Sequence, residues 1–387
     1  MNIVLPREIR YNVNAGEALL DIIDGLGASR ILVVSDPVIA KHHVFDEVVR
    51  QISSREFSYE LFKDVEPEPS LETAERVAEE ARVLEADLFV AIGGGSTIDA
   101  AKAGLVLYEK PSMNIEELSP LETIGIGRRA KIVAIPSTSG TGSDASFGVV
   151  ITKVVNNRRR KIALGSYELV PHATILDPRL PATMPRDLTR NTALDALSHA
   201  VEAYVAVMAT PYTDSLSEKV VETIFRFLPK VLEDPADLEA RARIHLAATM
   251  AGIAFTNAGL GVAHAIAHSI GPRLKLHHGL AVSLALPYVV EYNTVNSDEA
   301  KEKYSELSRH LSLWVNTRNN LPQQLLRFYE KIGHPRRIRD LPSPPPQDEW
   351  RRLVDEISQE AMEDSELAFN PAPVGPEEIK SILNKMY

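Results

Sequence analysis

Two pairs of polar residues, each spaced four apart in an apolar segment, have the chemistry of metal ligands. Asp195 and His199 lie in TALDALSHAVEAY, and His264 and His268 lie in VAHAIAHSIG. A spacing of four puts both members of a pair on one face of a helix. Because the neighbours are mostly Ala, Leu, Ile and Val, we expect both helices to be buried, and a buried carboxylate or imidazole needs a partner.

Two further histidines, His277 and His278, precede Gly279 at the start of the next apolar segment. A lone buried histidine would more simply be a core residue. One carboxylate with three imidazoles, however, suits a divalent transition metal with an open coordination position. The chain has no cysteine, which excludes thiolate ligands, disulfides and iron–sulfur clusters and leaves Fe(II), Zn(II), Mn, Co or Ni. Spacing does not decide between His277 and His278.

Two glycine-rich loops each follow an apolar run. GGGS, residues 93 to 96, follows ADLFVAI and precedes a helical pattern in which Ser96 and Asp99 have capping-box spacing; STSGTGSD covers 137 to 144. Such loops let a phosphate approach backbone N–H groups at a helix start, although GGGS also simply permits a tight turn. GGGS is neither the GxGxxG fingerprint nor a P-loop, because no GKS or GKT sequence follows it. Together the loops predict a site for a phosphate-bearing cofactor.

Charged residues near these loops have two interpretations each. Asp36 ends the apolar run ILVVSD, where a carboxylate could bind a ribose hydroxyl and repel a 2′-phosphate, or could be an ordinary turn residue. The basic run from Arg158 to Lys161 follows an Asn-Asn turn in a predicted hairpin. It is either a solvated turn or close to an anionic ligand.

The elements that would carry these residues fall into two halves of the 387-residue chain. Strand and helix patterns alternate in the first half, and one predicted helix lies in PSLETAERVAEEARVLEA with Ser70 as its N-cap. From about residue 185 the patterns are helical. We predict a Rossmann-like α/β domain at 1–185, a parallel sheet with helices on both faces, and an all-α metal-binding, catalytic domain at 186–387.

Composition limits the partners. The net charge of -11 argues against nucleic acid and against an anionic membrane surface, since both attract clustered positive charge. No apolar run has the length of a membrane span, and the N-terminal sequence does not resemble a signal peptide. We therefore expect a cytoplasmic protein that acts on a small molecule.

The motifs taken together resemble the iron-containing (group III) alcohol dehydrogenase family over nearly the whole chain. The matching stretches are AIGGGSTIDAAKA, AIPSTSGTGSDAS, ILDPRLPATMP, LDALSHAVEAYV, AGIAFTNAGLGVAHAIAH, HHGLAVSLALP and FNPAPVGPEEIKSIL. The resemblance implies a dehydroquinate synthase-like architecture. It also implies hydride transfer between a nicotinamide and a small alcohol or aldehyde, and a homodimer.

The resemblance also implies roles for individual residues. One divalent metal, Fe(II) first and Zn(II) second, would be held by Asp195, His199, His264 and His278, which resolves the choice left open above. His268 would lie near substrate and nicotinamide, and it is our candidate for proton relay. The family's two loops bind the dinucleotide, and here they are Gly93, Gly94, Gly95, Ser96, Asp99, Thr138, Gly140, Thr141 and Gly142. Asp36 and Lys161 are further cofactor candidates from the residue patterns above, with NAD as the expected cofactor and NADP as the alternative.

Departures from the family pattern leave alternatives. The second loop has Ser139 and Asp144 where TTAGTGSE is typical, and the match fades after residue 300 until the NP tail. A glycerol or glycerol-phosphate dehydrogenase is the nearest alternative. A sugar-phosphate lyase of the dehydroquinate synthase type would need more basic residues than Arg273 and Lys275 on the metal-bearing helices. The intact ligand set disfavours a metal-free maleylacetate reductase, and a non-enzymatic binding protein fits least.

Overall fold

The structure is a computed structural model that describes residues 2–120, 122–155, 158–315 and 320–387. The chain divides into two compact units, Met1–Met184 and Pro185–Tyr387.

The first unit contains a parallel sheet and a separate hairpin. Its strands, within the described residues, are β1 (Glu8–Tyr11), β2 (Arg30–Ser35), β3 (Ser58–Phe62), β4 (Leu88–Gly93), β5 (Lys131–Pro136), β6 (Gly148–Val155), β7 (Arg158–Gly165) and β8 (Ala173–Leu176). Six of them form one sheet in the order β1-β8-β5-β4-β2-β3, with every neighbouring pair parallel. Strands β6 and β7 pair antiparallel, as the hairpin prediction requires. The predicted Asn-Asn turn, residues 156 and 157, lies outside the described residues.

Helices cover both faces of the sheet. The helices of this unit are α1 (Ala15–Leu26), α2 (His43–Ser53), α3 (Leu71–Leu84), α4 (Gly95–Glu109) and the short α5 (Arg179–Ala182). Along β2, Ile31 and Val33 pack with α1 and α2, whereas Leu32 and Val34 pack with α3 and α4. Because both faces are covered, the central strands β2, β4 and β5 are continuous apolar runs, whereas the edge strands β1 and β3 are more polar. The predicted fold class is confirmed.

Local signals in the sequence set some helix starts and not others. Ser70 caps α3 by accepting a hydrogen bond from the Thr73 N–H, as predicted. The predicted capping box of Ser96 and Asp99 is wrong, because the N-cap of α4 is Gly94 and no side chain caps it.

The second unit contains helices and loops, with no strand among its described residues. Its helices are α6 (Arg186–Val205), α7 (Pro211–Glu233), α8 (Leu238–Ala258), α9 (Val262–Leu274), α10 (His278–Asn296), α11 (Asp298–Val315), α12 (Leu321–Lys331), α13 (Gln347–Ala361) and α14 (Pro376–Met386). Helix α6 packs against α7, α8 and α10, and α9 packs against α10 and α13. Helix α6 is buried around nearly its whole circumference, which its Ala- and Leu-rich sequence requires.

Within the described residues, no single helix has the length and apolar character needed to cross a membrane. One pair of helices meets the length and composition of a membrane span when counted together. The pair is Leu238–Ala258 and Val262–Leu274, with a bend of 113° between them.

A buried ion pair fixes the end of β8 to the start of α1. The fully buried Asp177 accepts hydrogen bonds from the Arg179 guanidinium, the shortest being 2.9 Å (Nε to Oδ1) and 2.6 Å (Nη2 to Oδ2). The Ala15 N–H donates to the same carboxylate at 3.0 Å, and Glu47 contacts Arg179 at 2.9 Å. Hydrogen bonding to Arg179 lowers the pKa of Glu47. The network joins the carboxyl end of the strand to the N-terminus of the helix.

We expect Arg179→Ala to lower the free energy of unfolding by about 2–4 kcal/mol, because it removes the charged partner of the buried Asp177 carboxylate. Arg55→Ala is the control: Arg55 pairs with Asp24 at 3.8 Å, both side chains are more than half exposed, and the cost should stay below about 1 kcal/mol. Urea denaturation followed by circular dichroism measures both. Equal losses in the two variants would show that the Asp177 network does not stabilise the fold.

Candidate active site

Helix α6 carries three ionisable side chains on one buried face. Asp195, His199 and Glu202 are spaced i, i+4 and i+7, and their exposed fractions are only 2%, 5% and 3%. This spacing keeps the three on the same side of the helix over two turns. The third residue, Glu202, was not among our predicted site residues, although its position in LDALSHAVEAY follows the same period.

Helix α9 brings His264 against this face. The His264 ring stacks on His199 with 4.6 Å between centroids. Its Nδ1 is hydrogen-bonded to Glu202, whose other oxygen accepts a hydrogen bond of 2.7 Å from the Ala263 N–H. Burial lowers the pKa of His264 to about 3, so the imidazole is neutral, which is the form that binds a metal. Because Nδ1 is committed to Glu202, Nε2 is the nitrogen available as a ligand.

The start of α10 separates the roles of the two adjacent histidines. His277 is exposed and caps the helix, its Nδ1 accepting from the Gly279 N–H at 3.2 Å. His278 Nε2 lies 3.5 Å from Asp195 Oδ1. The arrangement supports His278 rather than His277 as the fourth ligand.

Candidate ligand atoms from three side chains converge on one buried point. One ligand atom each from Asp195, His199 and His264 lies within 4.8 Å of the others, while His278 lies outside this group on the Asp195 side. Asp195 Oδ1 and His264 Nε2 are buried and have no hydrogen-bond partner among the described residues. Burial raises the pKa of Asp195 to about 7. A divalent cation would supply the positive charge that stabilises this buried carboxylate. The residues therefore fit a metal bound by oxygen and nitrogen.

His268 lies beside the ligand group but is more open to solvent. Its ring stacks on His278 with 5.2 Å between centroids, and its side chain is 41% exposed. Its Nδ1 lies 2.6 Å from Asp364 Oδ2. Asp364 was also absent from our predicted residues, and no motif around it indicates a site.

The two glycine-rich loops of the first unit lie against each other. Strands β4 and β5 are neighbours, and the Ser137 N–H donates to Gly93 O at 2.8 Å. A Cβ placed on Gly95 would lie 2.8 Å from Thr141 Oγ1, so only glycine permits this approach. The structure thus brings together the predicted cofactor residues of both loops, which are Gly93, Gly94, Gly95, Ser96, Thr138, Gly140, Thr141 and Gly142.

Asp99 and Lys102 on α4 point inward and hold the second loop. Asp99 accepts hydrogen bonds from Ser143 Oγ and from the Val150 N–H, the latter at 2.9 Å. The fully buried Lys102 donates to Ser146 O at 2.8 Å, and burial lowers its pKa to about 8. The carboxylate of Asp99 therefore contacts protein groups, which indicates support of the loop rather than direct contact with a cofactor.

The remaining predicted cofactor residues differ in what the structure describes. Asp36 Oδ1 accepts from the Val38 and Ile39 N–H groups at 2.9 and 3.0 Å, and its Oδ2 lies 3.3 Å from Thr97 Oγ1 in the first turn of α4. The residue is thus both a turn residue and a neighbour of the first loop. The Lys161 side chain lies outside the described residues.

Comparison with known proteins gives matches over both units. The family models described as "Iron-containing alcohol dehydrogenase" and "Fe-containing alcohol dehydrogenase family, C-terminal" match residues 6–178 and 189–387. An alcohol dehydrogenase from Thermococcus barophilus is 36% identical over 389 residues, covering 98% of each chain. An NADPH-dependent butanol dehydrogenase from Clostridium saccharobutylicum is 34% identical, covering 100% of this chain and 98% of that protein.

Comparison with solved structures points to the same family. The iron-containing alcohol dehydrogenase from Thermococcus thioreducens superposes with a TM-score of 0.89 at 33% identity, covering 100% of this chain and 99% of that one.

We predict that Gly279→Ala separates α10 from α6. The added Cβ would lie 2.1 Å from Asn191 O and 3.0 Å from Asp195 Cβ, so the variant should lose about 1–3 kcal/mol of stability and part of its metal affinity. Gly271→Ala in α9 is the control, because its nearest atom would be at 3.8 Å. Denaturation and metal content by mass spectrometry measure the effects. A fully loaded, equally stable Gly279→Ala protein would contradict this account of the close approach.

Proposed function

The chain belongs to the iron-containing alcohol dehydrogenase family and is a metal-dependent alcohol dehydrogenase, and from that premise we propose which residues perform the reaction. Asp195, His199, His264 and His278 hold the divalent metal, Fe(II) in the first place and Zn(II) as the alternative. The observation that carries this assignment is a pair of buried atoms in the ligand group, Asp195 Oδ1 and His264 Nε2, which have no hydrogen-bond partner among the described residues.

The two units have different tasks in this proposal. The α/β unit, 1–185 in our predicted boundaries, binds NAD on its two glycine-rich loops, and the helical unit, 186–387, binds the metal and performs the chemistry. When bound, the metal supplies Lewis acidity toward the substrate oxygen, and the dinucleotide supplies the acceptor or donor of hydride. Small alcohols and aldehydes are the substrates of the family. A homodimer remains a proposal that rests on the family likeness, and a cytoplasmic location remains the expectation stated in the sequence analysis.

The protein's own residues orient a metal ligand, hold the cofactor loops and transfer the substrate proton. Glu202 fixes the His264 ring through its bond to Nδ1, which directs Nε2 toward the metal position. Asp99 and Lys102 hold the second loop against the first, so the cofactor cradle is formed in advance. His268 takes the proton of the substrate hydroxyl during alcohol oxidation and returns it during aldehyde reduction, because imidazole exchanges protons near neutral pH.

The metal assignment predicts a joint loss of metal and activity in Asp195→Asn and His264→Ala. We expect kcat/KM to fall at least about 100-fold, equivalent to about 2.7 kcal/mol of transition-state stabilisation. Asp187→Asn is the matched control, because it lies on the same helix and its side chain is 78% exposed. This variant should keep both its metal and its activity.

The measurement is anaerobic. The protein is stripped with a chelator, reloaded with Fe(II) or Zn(II), and assayed by NADH oxidation with short aldehydes and ketones, and in the reverse direction with glycerol. Recovery on one ion identifies the activating metal. Full turnover by metal-free protein would overturn the assignment.

The proposed preference for NAD predicts a shift in Asp36→Asn. The amide keeps an oxygen for the Val38 and Ile39 N–H groups but removes the charge that would repel a 2′-phosphate. We expect the ratio of kcat/KM for NADH over NADPH to fall by about tenfold, or about 1.4 kcal/mol. Asp46→Asn, at an exposed position of α2, is the control. An unchanged ratio would mean that Asp36 is only a turn residue.

A further inference from the structure

His268 has a carboxylate partner from a distant part of the chain. Asp364 follows α13 and precedes the short 3-10 helix Ser365–Phe369. Its Oδ2 lies 2.6 Å from His268 Nδ1, and its side chain is 16% exposed, against 41% for His268. A hydrogen bond to a mostly buried carboxylate is stronger than one in open solvent, so this contact can restrain a ring that is otherwise half exposed.

Asp364 is itself held in place. Its Oδ1 accepts from the Glu366 N–H at 2.9 Å, capping the 3-10 helix, and its own N–H donates to Ala361 O at 3.2 Å. Burial disfavours its charge, but the hydrogen bond with His268 holds the pKa of Asp364 below its ordinary range. One oxygen is thus committed to the backbone and the other to the histidine.

The neighbouring turn of α9 shows the same arrangement. His264 and His268 are one turn apart, and each is bonded at Nδ1 to a carboxylate from another element, Glu202 or Asp364. In the buried pair this bond leaves Nε2 as the ligand atom. In the half-exposed pair of His268 and Asp364, the same bond determines which ring nitrogen of His268 carries the hydrogen.

We propose that Asp364 is a positioning residue that fixes His268 as the Nδ1–H tautomer, so that the basic Nε2 accepts the hydrogen bond of the substrate hydroxyl. The inference rests on the proposed role of His268 in the reaction. Without Asp364, the ring would be free to place its hydrogen on Nε2, which cannot then accept from a hydroxyl.

The experiment compares Asp364→Asn with Glu363→Gln, which removes one charge from the adjacent exposed position. The Zn(II)-loaded protein, labelled with ¹⁵N-histidine, is read by NMR, and the His268 signals are identified by their loss in His268→Ala. We expect a single Nδ1–H tautomer in the unchanged protein and in Glu363→Gln, and a mixture or an Nε2–H form in Asp364→Asn. An unchanged tautomer in Asp364→Asn overturns the inference.

Kinetics provide the second readout. We expect kcat of Asp364→Asn to fall about 10- to 100-fold with KM changed less than about threefold, and that of Glu363→Gln to stay unchanged. If Asp364→Asn does not fold, Asp364→Ser retains a capping oxygen for the Glu366 N–H but is too short to reach His268, and the same results are expected.

The two proposals fail separately. Full activity in His268→Ala would refute the role of His268 in the reaction while leaving the tautomer result to decide the role of Asp364. A changed tautomer with unchanged kcat, in a protein whose activity needs His268, would refute the positioning role alone.

Discussion

The helical unit buries a carboxylate and two imidazoles at one point, and the cost of removing Asp195, His199 and His264 from water is the constraint that organises it. A buried carboxylate with no hydrogen bond to one of its oxygens costs several kcal/mol, roughly half of a domain's net stability. The protein offsets part of this internally, because Glu202 bonds to His264. The metal proposed at this point would offset the rest. The helices must also approach closely for their short side chains to meet, which explains why alanine and glycine, and Gly279 above all, line the contact between α6 and α10.

The α/β unit also buries a charged group, and it stabilises that group with its own hydrogen bonds rather than with a ligand. The Lys102 ammonium is fully buried, and it donates to the main-chain oxygens of Ser146 and Gly148 at 2.8 and 3.1 Å. One lysine thereby joins the helix that follows the first glycine-rich loop to the segment that follows the second. Since these bonds lie entirely within the protein, the relative position of the two loops is set before a dinucleotide arrives. Such preorganisation reduces the entropy lost on binding.

Sequence reasoning succeeded where a local pattern determined the structure. The apolar runs of the strands and the Ser70 cap were read correctly, because each depends on residues close in sequence. The period of α6 also indicates Glu202, which lies on the same face one turn beyond His199. Two features could not be predicted in this way. The inward orientation of Asp99 depends on Ser143 and Val150, and the Asp364 bond to His268 joins residues 96 apart. Tertiary contacts of this kind leave no periodic signal.

Burial, rather than residue type, distinguishes the two histidines of α9. Both are bonded at Nδ1 to a carboxylate, and both belong to the same short motif. His264 is 1% exposed, so its Nε2 meets no water and suits a permanent ligand. His268 has a 41% exposed side chain, so a proton on its ring can exchange with solvent, as the proposed proton relay requires. Under the proposed roles, a helix that places one turn in the core and the next at the surface gives the same side chain, with the same hydrogen bond, two different functions.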